Sequence, residues 1–280
     1  MGIKRTPSRR ISLPALTLFG ADHGAAVAAF FAGVVLLISL IAASSQPPST
    51  TKSLGAYATS LANRTPNQQF NARRAARLVD GALVAPGQTF SFNNRVGGWA
   101  GGNGYRKAPV SYNGILVDEY GGGVCQTSTT VYNAALLAGL TIVERHSHTF
   151  APGYVPAGRD AAVAYQNVDL RVKNPFAFSV KLHVGIKDQF LICEFTAPKL
   201  PTEHVSIVSR TLDTFPAPTA PPEPGAGHRR SRWRLKGRDG VRVATFRQFY
   251  DSSGNLVKQQ LVSDNTYRAI TAAVGSSGSQ

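Results

Sequence analysis

Gly121 to Gly139 reads GGGVCQTSTTVYNAALLAG, and the rest of the chain is best read outward from it. Val131, Ala134, Ala135 and Ala138 recur at i, i+3, i+4 and i+7, the spacing of one apolar helix face. Thr127 or Ser128 supplies a cap at the start of this helix and Gly139 a stop. Cys125 then falls in the last residues of a glycine loop, just before the helix N-terminus. Unpaired backbone amides there carry partial positive charge, which favours thiolate over thiol. Gly122 and Gly123 let a substrate backbone approach closely, and the free amides are candidates for an oxyanion hole. A lowered thiol pKa, open access and donors aimed at developing negative charge are what a cysteine nucleophile needs.

A thiol nucleophile also needs a base. Glu144-Arg145-His146-Ser147-His148-Thr149 follows, then Tyr154 and Gly158-Arg159-Asp160. Either His146 or His148 can take the proton, and Asp160 can orient the imidazole. If the stretch is extended, the two histidines share a face and Ser147 points away. Two other readings use the same residues. Cys125 and Cys193 can close a structural disulfide in an exported protein. Cys125, His146 and His148, with Asp160, can also form a zinc site. The nucleophile reading requires neither a metal nor a cofactor.

Upstream, Asn67 to Gly81 favours helix, with Gly81 where a left-handed cap is wanted. Pro86-Gly87 turns the chain into the alternating strand Thr89 to Phe92, and Gly97 to Gly104 is a glycine loop around Trp99. Downstream, Val168, Leu170 and Val172 alternate with polar residues, and Phe176, Phe178, Val180, Leu182 and Val184 resume the pattern after Asn174-Pro175. Together they read as a hairpin. Phe190 to Phe195 forms a further strand with Leu191, Cys193 and Phe195 on one face. Val241 to Tyr250 and Asn255 to Val262 flank the turn Asp251 to Gly254 as a terminal hairpin. The expected class is α+β: a mostly antiparallel sheet, with a helix following the GGGVCQ loop and a single N-terminal transmembrane helix.

That last element comes from Gly24 to Ala43, 20 residues without a charge, enough to span roughly 30 Å of hydrocarbon. Lys4, Arg5, Arg9 and Arg10 precede it, which keeps the N-terminus inside and places the remainder outside the cytoplasm. Ala42-Ala43-Ser44 offers the competing reading, a cleaved signal peptide. The expected organisation is a basic tail (1–23), an anchor (24–43), a stalk (44–62) and a main domain (63–199). A proline-rich linker (213–228) and a basic segment with the terminal hairpin (229–275) complete it. The localisation that follows is single-pass in the cell membrane, with the main domain extracytoplasmic.

The whole chain, of 280 residues, carries +15 net charge and 43% hydrophobic residues, so it has the apolar content for a core. Its two cysteines exclude a disulfide-knit mini-protein and any cysteine-rich zinc module. Arg229 to Arg238, RRSRWRLKGR, suits a contact with anionic wall polymers or lipid headgroups. Nucleic acid would attract the same charge, but export makes it an unsuitable partner.

The motif residues also carry a resemblance. Gly121-Gly122-Gly123-Val124-Cys125-Gln126, Ser128-Thr129, Tyr132-Asn133-Ala134, Glu144-Arg145-His146, His148, Tyr154, Gly158 and Asp160-Ala161 resemble the VanW family. Pro86-Gly87, Phe90-Ser91-Phe92, Gly104-Tyr105 and Ala108 fit as well, so the likeness runs from about Asn63 to Asn174. Thr149 stands where serine is expected, a change that keeps the hydroxyl. The resemblance implies a cell-wall role, with peptidoglycan stem peptides as partners; some VanW domains are regarded as L,D-transpeptidases that use the motif cysteine. It implies Cys125 as nucleophile and His148 as base. Arg145 or Arg159 would hold a stem carboxylate, Tyr105 and Tyr154 would line the cleft or pack, and Gln126 would assist the oxyanion site. The other functional class is a non-catalytic wall-binding module built around the Cys125–Cys193 disulfide.

Overall fold

The computed structural model describes residues 51–112, 115–218, 232–235, 237–271 and 273–276. Strand β1 (Lys52–Ser60) leads into helix α1 (Pro66–Val79), followed by β2 (Leu83–Val84), β3 (Thr89–Ser91) and the short α2 (Phe92–Val96). The pair β4 (Lys107–Tyr112) and β5 (Ile115–Tyr120) precedes α3 (Val124–Leu137). Then come β6 (Thr141–Glu144), β7 (Arg171–Lys173), β8 (Val180–Lys187), β9 (Phe190–Ala197) and β10 (His204–Phe215). The last are β11 (Arg232–Leu235), β12 (Gly240–Tyr250), β13 (Leu256–Tyr267) and β14 (Ala273–Ser276). The sheets are ordered β1-β9-β8-β2, β3-β7-β6, β4-β5, β10-β12-β13 and β11-β14, with every pairing antiparallel.

Helix α1 starts on a capping box. Thr65 Oγ1 accepts from Gln68 N at 3.2 Å, Gln68 Oε1 accepts from Thr65 N at 3.1 Å, and Pro66 fills the first turn, where no amide partner is needed. The helix packs Ala72, Ala75, Ala76 and Val79 into the core, where Val131, Ala134 and Ala135 of α3 and Leu182, Val184, Leu191 and Phe195 of the four-stranded sheet meet them. Small residues on both helices permit close packing. At Gly55 in β1, any Cβ would collide with the backbone of Ala138 just after α3.

Helix α3 is the central element, and its polar side is as buried as its apolar one. Thr127, Ser128, Thr129, Thr130 and Asn133 are all fully buried. Buried polar groups need partners, and these have them. Thr127 Oγ1 donates to Ala72 O at 3.2 Å, and Thr130 Oγ1 donates to Gln126 O at 2.7 Å. Ser128 Oγ donates to Ala161 O at 2.7 Å, and Asn133 Nδ2 donates to Arg159 O at 2.7 Å. The helix is therefore stitched to α1 on one side and to the 159–161 segment on the other.

Several sequence expectations change. The expected hairpin across Asn174-Pro175 does not form: β7 pairs with β3 and β6, whereas β8 pairs with β9 and β2. Buried Asn174 holds the crossing, its Nδ2 donating to Val84 O at 2.9 Å and Phe178 O at 2.8 Å. Residues 52–60, read as part of the stalk, form β1 against β9. The terminal hairpin does form, as β12 and β13, with β10 added at its edge.

The fold class needs one correction. The single N-terminal transmembrane helix, and the single-pass cell-membrane localisation built on it, find no support. Among the described residues no helix is long and apolar enough to cross a membrane. Helices α1 and α3 have 14 residues each, about 21 Å against a hydrocarbon layer of roughly 30 Å. The apolar stretch at 24–43 lies outside the described residues, as do residues 219–231 of the linker and basic run.

Candidate active site

Cys125 sits inside α3, as its second residue, because the helix starts four to five positions earlier than the sequence suggested. The cap is Gly123, at φ 111, and not Thr127 or Ser128. A side chain there would collide with the Gln68 carbonyl, and one at Gly122 would come within 2.8 Å of Ala108 O. These two glycines are thus explained by the close approach of α1 and β4 to the loop. The amides of Val124 and Gln126 are taken by Gly121 O at 3.0 Å and Gly123 O at 3.1 Å. Among the described residues the amide of Cys125 itself has no acceptor, leaving one donor beside the thiol.

The thiol, partly exposed, lies 3.5 Å from Val163 O. Burial alone would push it up, but the His148 imidazole outweighs that and holds the thiol below its ordinary range. Burial likewise disfavours the His148 cation, yet bonding to Asp160 and to Cys125 raises it to about 10. Both directions favour a thiolate–imidazolium pair over neutral thiol and imidazole.

Asp160 is the hub. Its side chain is 0% exposed and each oxygen is satisfied twice. Oδ2 accepts from His148 Nδ1 at 2.6 Å and from the His148 amide at 2.7 Å. Oδ1 accepts from Arg145 Nη2 at 2.8 Å and from the Tyr267 hydroxyl at 2.5 Å. Burial works against the carboxylate, but the His148 bond and the Arg145 charge hold it below the usual range. The hydroxyl of Thr129 accepts from the Ala161 amide at 2.9 Å, so the residue after Asp160 is fixed to α3.

The structure thus brings His148 onto Asp160 and into interaction with Cys125. It separates His146, whose ring faces Glu144 Oε1 at 3.0 Å with the side chain 46% exposed. His146 and His148 therefore answer to different carboxylates. Arg145 is bound to Asp160, also donating from Nε to Asp160 O at 2.6 Å and from Nη1 to Asn265 Oδ1. Arg159 lies 4.8 Å from the centre of the Tyr57 ring and donates to Asn133 Oδ1 at 2.8 Å. Gln126 is buried, its amide donating to Thr59 Oγ1 at 3.0 Å and to Ser60 O at 2.9 Å, so no donor remains for an oxyanion. Tyr105 is buried under Arg74, a packing role. Tyr154 stays beside the thiol, its hydroxyl 3.5 Å from Thr129 Oγ1, and burial followed by the Cys125 charge pushes it up.

Both cysteines are free thiols; Cys193 is buried in β9 and raised by that burial. Among the described residues no three His, Cys, Asp or Glu side chains converge as metal ligands. Two contributors carry no sequence signal. Tyr267, at the end of β13, donates to Asp160 and accepts from the Gly158 amide at 2.9 Å. Arg64, in the turn before α1, donates from Nε to Gln126 Oε1 at 2.9 Å.

Residues 67–196 match a family model described as VanW like protein. Over 127 residues the chain is 41% identical to "Uncharacterized protein YoaR" of Bacillus subtilis, covering 45% of this chain and 42% of that protein. Over 151 residues it is 31% identical to "Vancomycin B-type resistance protein VanW" of Enterococcus faecalis, covering 52% of this chain and 55% of that protein. The chain thus spans about half the length of the curated relatives it matches. No solved structure matches it. The family match ends within β9, so Arg64, Asn265 and Tyr267 all lie outside it.

Proposed function

Because residues 67–196 match the VanW like protein family model, we propose that the chain is a cysteine acyltransferase acting on peptidoglycan stem peptides, an L,D-transpeptidase. The observation that carries the reading is the Cys125–His148–Asp160 set at the N-terminus of α3, with the thiol lowered and the imidazole raised.

The Cys125 thiolate attacks the carbonyl of the third residue of a tetrapeptide stem. The partial positive charge of the α3 N-terminus and the Cys125 amide stabilise the oxyanion. As the tetrahedral intermediate collapses, the C–N bond breaks. The His148 imidazolium gives its proton to the departing D-alanine amine, leaving a thioester on Cys125. Neutral imidazole then takes a proton from the side-chain amine of a second stem, which attacks the thioester. An amide forms, the thiolate leaves, and His148 is again an imidazolium. Asp160 holds the ring in place and stays ionised throughout.

The test is mass spectrometry of muropeptides after incubating disaccharide-tetrapeptide with the chain and with its Cys125→Ala variant. A 3–3 dimer, or loss of D-alanine, from the parent alone is expected. Equal binding by both proteins with neither product would replace this reading with a wall-binding module.

A further inference from the structure

One cation held by two residues around the nucleophile has no task in this reaction. Arg64 lies between β1 and α1, where its amide donates to Leu61 O at 3.0 Å. Its side chain is held twice. Nε donates to Gln126 Oε1 at 2.9 Å, and the guanidinium sits 4.6 Å from the centre of the Tyr154 ring. Both holders belong to the site: Gln126 follows Cys125 directly, and Tyr154 reaches Thr129 on the next turn of α3. Gln126 is itself pinned by Thr59 and Ser60. The plane of the guanidinium is therefore fixed, while Nη1 and Nη2 make no hydrogen bond among the described residues. No carboxylate pairs with it among those residues either. Arg145 differs, for Asp160 already occupies it; Arg159 is held in the same manner by Asn133 and the Tyr57 ring, but Asn133 lies two turns further along α3 than Cys125.

A half-buried, unpaired cation with an oriented, unused pair of amino groups suits bidentate binding of a carboxylate. We propose that Arg64 is the carboxylate receptor of this site, taking the free C-terminal carboxylate of the peptide on the leaving-group side of the scissile bond. The choice of ligand rests on the function proposed above. There the leaving residue is the terminal D-alanine, whose carboxylate is one residue from the attacked carbonyl. Arg64 would fix the stem's end, so that the penultimate carbonyl meets Cys125.

Cys125 can report on this directly. Iodoacetate and iodoacetamide alkylate a thiolate by the same displacement, the S–C bond forming as iodide leaves, and differ only in carrying a carboxylate or an amide. The ratio of their inactivation rate constants cancels any general change in the thiol. In Arg64→Gln the ratio falls about 10- to 100-fold, the worth of one charge-assisted pair, and Arg64→Lys retains part of it. A ratio equal to the parent's in both variants overturns the proposal.

The peptide completes the test. For the parent, kcat/KM on a tetrapeptide stem with a free terminal carboxylate exceeds that on its C-terminal amide, and Arg64→Gln removes the difference. Equal values for acid and amide in the parent overturn the assignment to the leaving-group side. If neither peptide turns over, the proposed function fails, and the alkylation ratio still decides the carboxylate site.

Discussion

Two histidines separated by one residue meet different fates because only one reaches a buried carboxylate. His146 pairs with half-exposed Glu144 in solvent, where such contacts contribute little. His148 bonds to fully buried Asp160 through both its ring and its backbone, so the imidazole cannot turn away from Cys125. Once the thiol pKa lies above the working pH, each further unit lowers the thiolate fraction about tenfold. We therefore expect His148→Ala to slow iodoacetamide labelling of Cys125 at pH 7 by about tenfold or more, and His146→Ala to leave it within about twofold. The opposite ranking would move the base to His146. The pH dependence has two limbs. Labelling falls as pH drops through the depressed thiol pKa, so its profile is centred below the ordinary thiol value. Peptide turnover also needs the imidazolium as proton donor, so it declines as pH rises through about 10 while labelling persists. A labelling profile centred on the ordinary thiol value would contradict the ion pair.

The elements that place these residues are held by backbone approach as much as by side chains. Gly123 caps α3 at φ 111 with the Gln68 carbonyl of α1 against it. Gly123→Ala should cost about 1–3 kcal/mol for the backbone alone, with the collision added, and should show as a lower urea midpoint. An unchanged midpoint would mean that the loop can shift without loss. At this scale the sequence was readable where structure is local. The apolar spacing of α3, the alternation of β8 and β9 and the turn at Asp251 to Gly254 depend on neighbours in the chain. The break at Asn174-Pro175 was misread because a hairpin and a sheet crossing have the same local pattern. What separates them is Asn174 reaching Val84, 90 residues away. The polar TSTT run was likewise read as a capping segment, since nothing nearby in sequence announces that the 159–161 segment buries it.

Across the whole molecule, the site is closed from a region beyond the family match. Arg247 of β12 donates to Leu140 O at 2.6 Å, Thr245 Oγ1 donates to Gly158 O at 3.2 Å, and Arg268 N donates to Thr149 O at 2.8 Å. Tyr267 is the innermost of these contacts. The motif cysteine, histidine and aspartate were legible because 36 positions hold them all, whereas Tyr267 lies 107 residues from Asp160. Replacing its hydroxyl, Tyr267→Phe, leaves the buried Gly158 amide without its acceptor and Asp160 Oδ1 with Arg145 alone. Unfolding by urea should report a loss of about 1–3 kcal/mol, the cost of such orphaned groups. A positioning role predicts something more. Losing a donor makes the Asp160 carboxylate more basic, so it holds the His148 proton more firmly, and the alkaline limb of peptide turnover should move to higher pH. Stability loss with an unmoved limb would reduce Tyr267 to a packing residue. Parent-like values in both measurements would mean that the C-terminal strands contribute nothing to the site they touch.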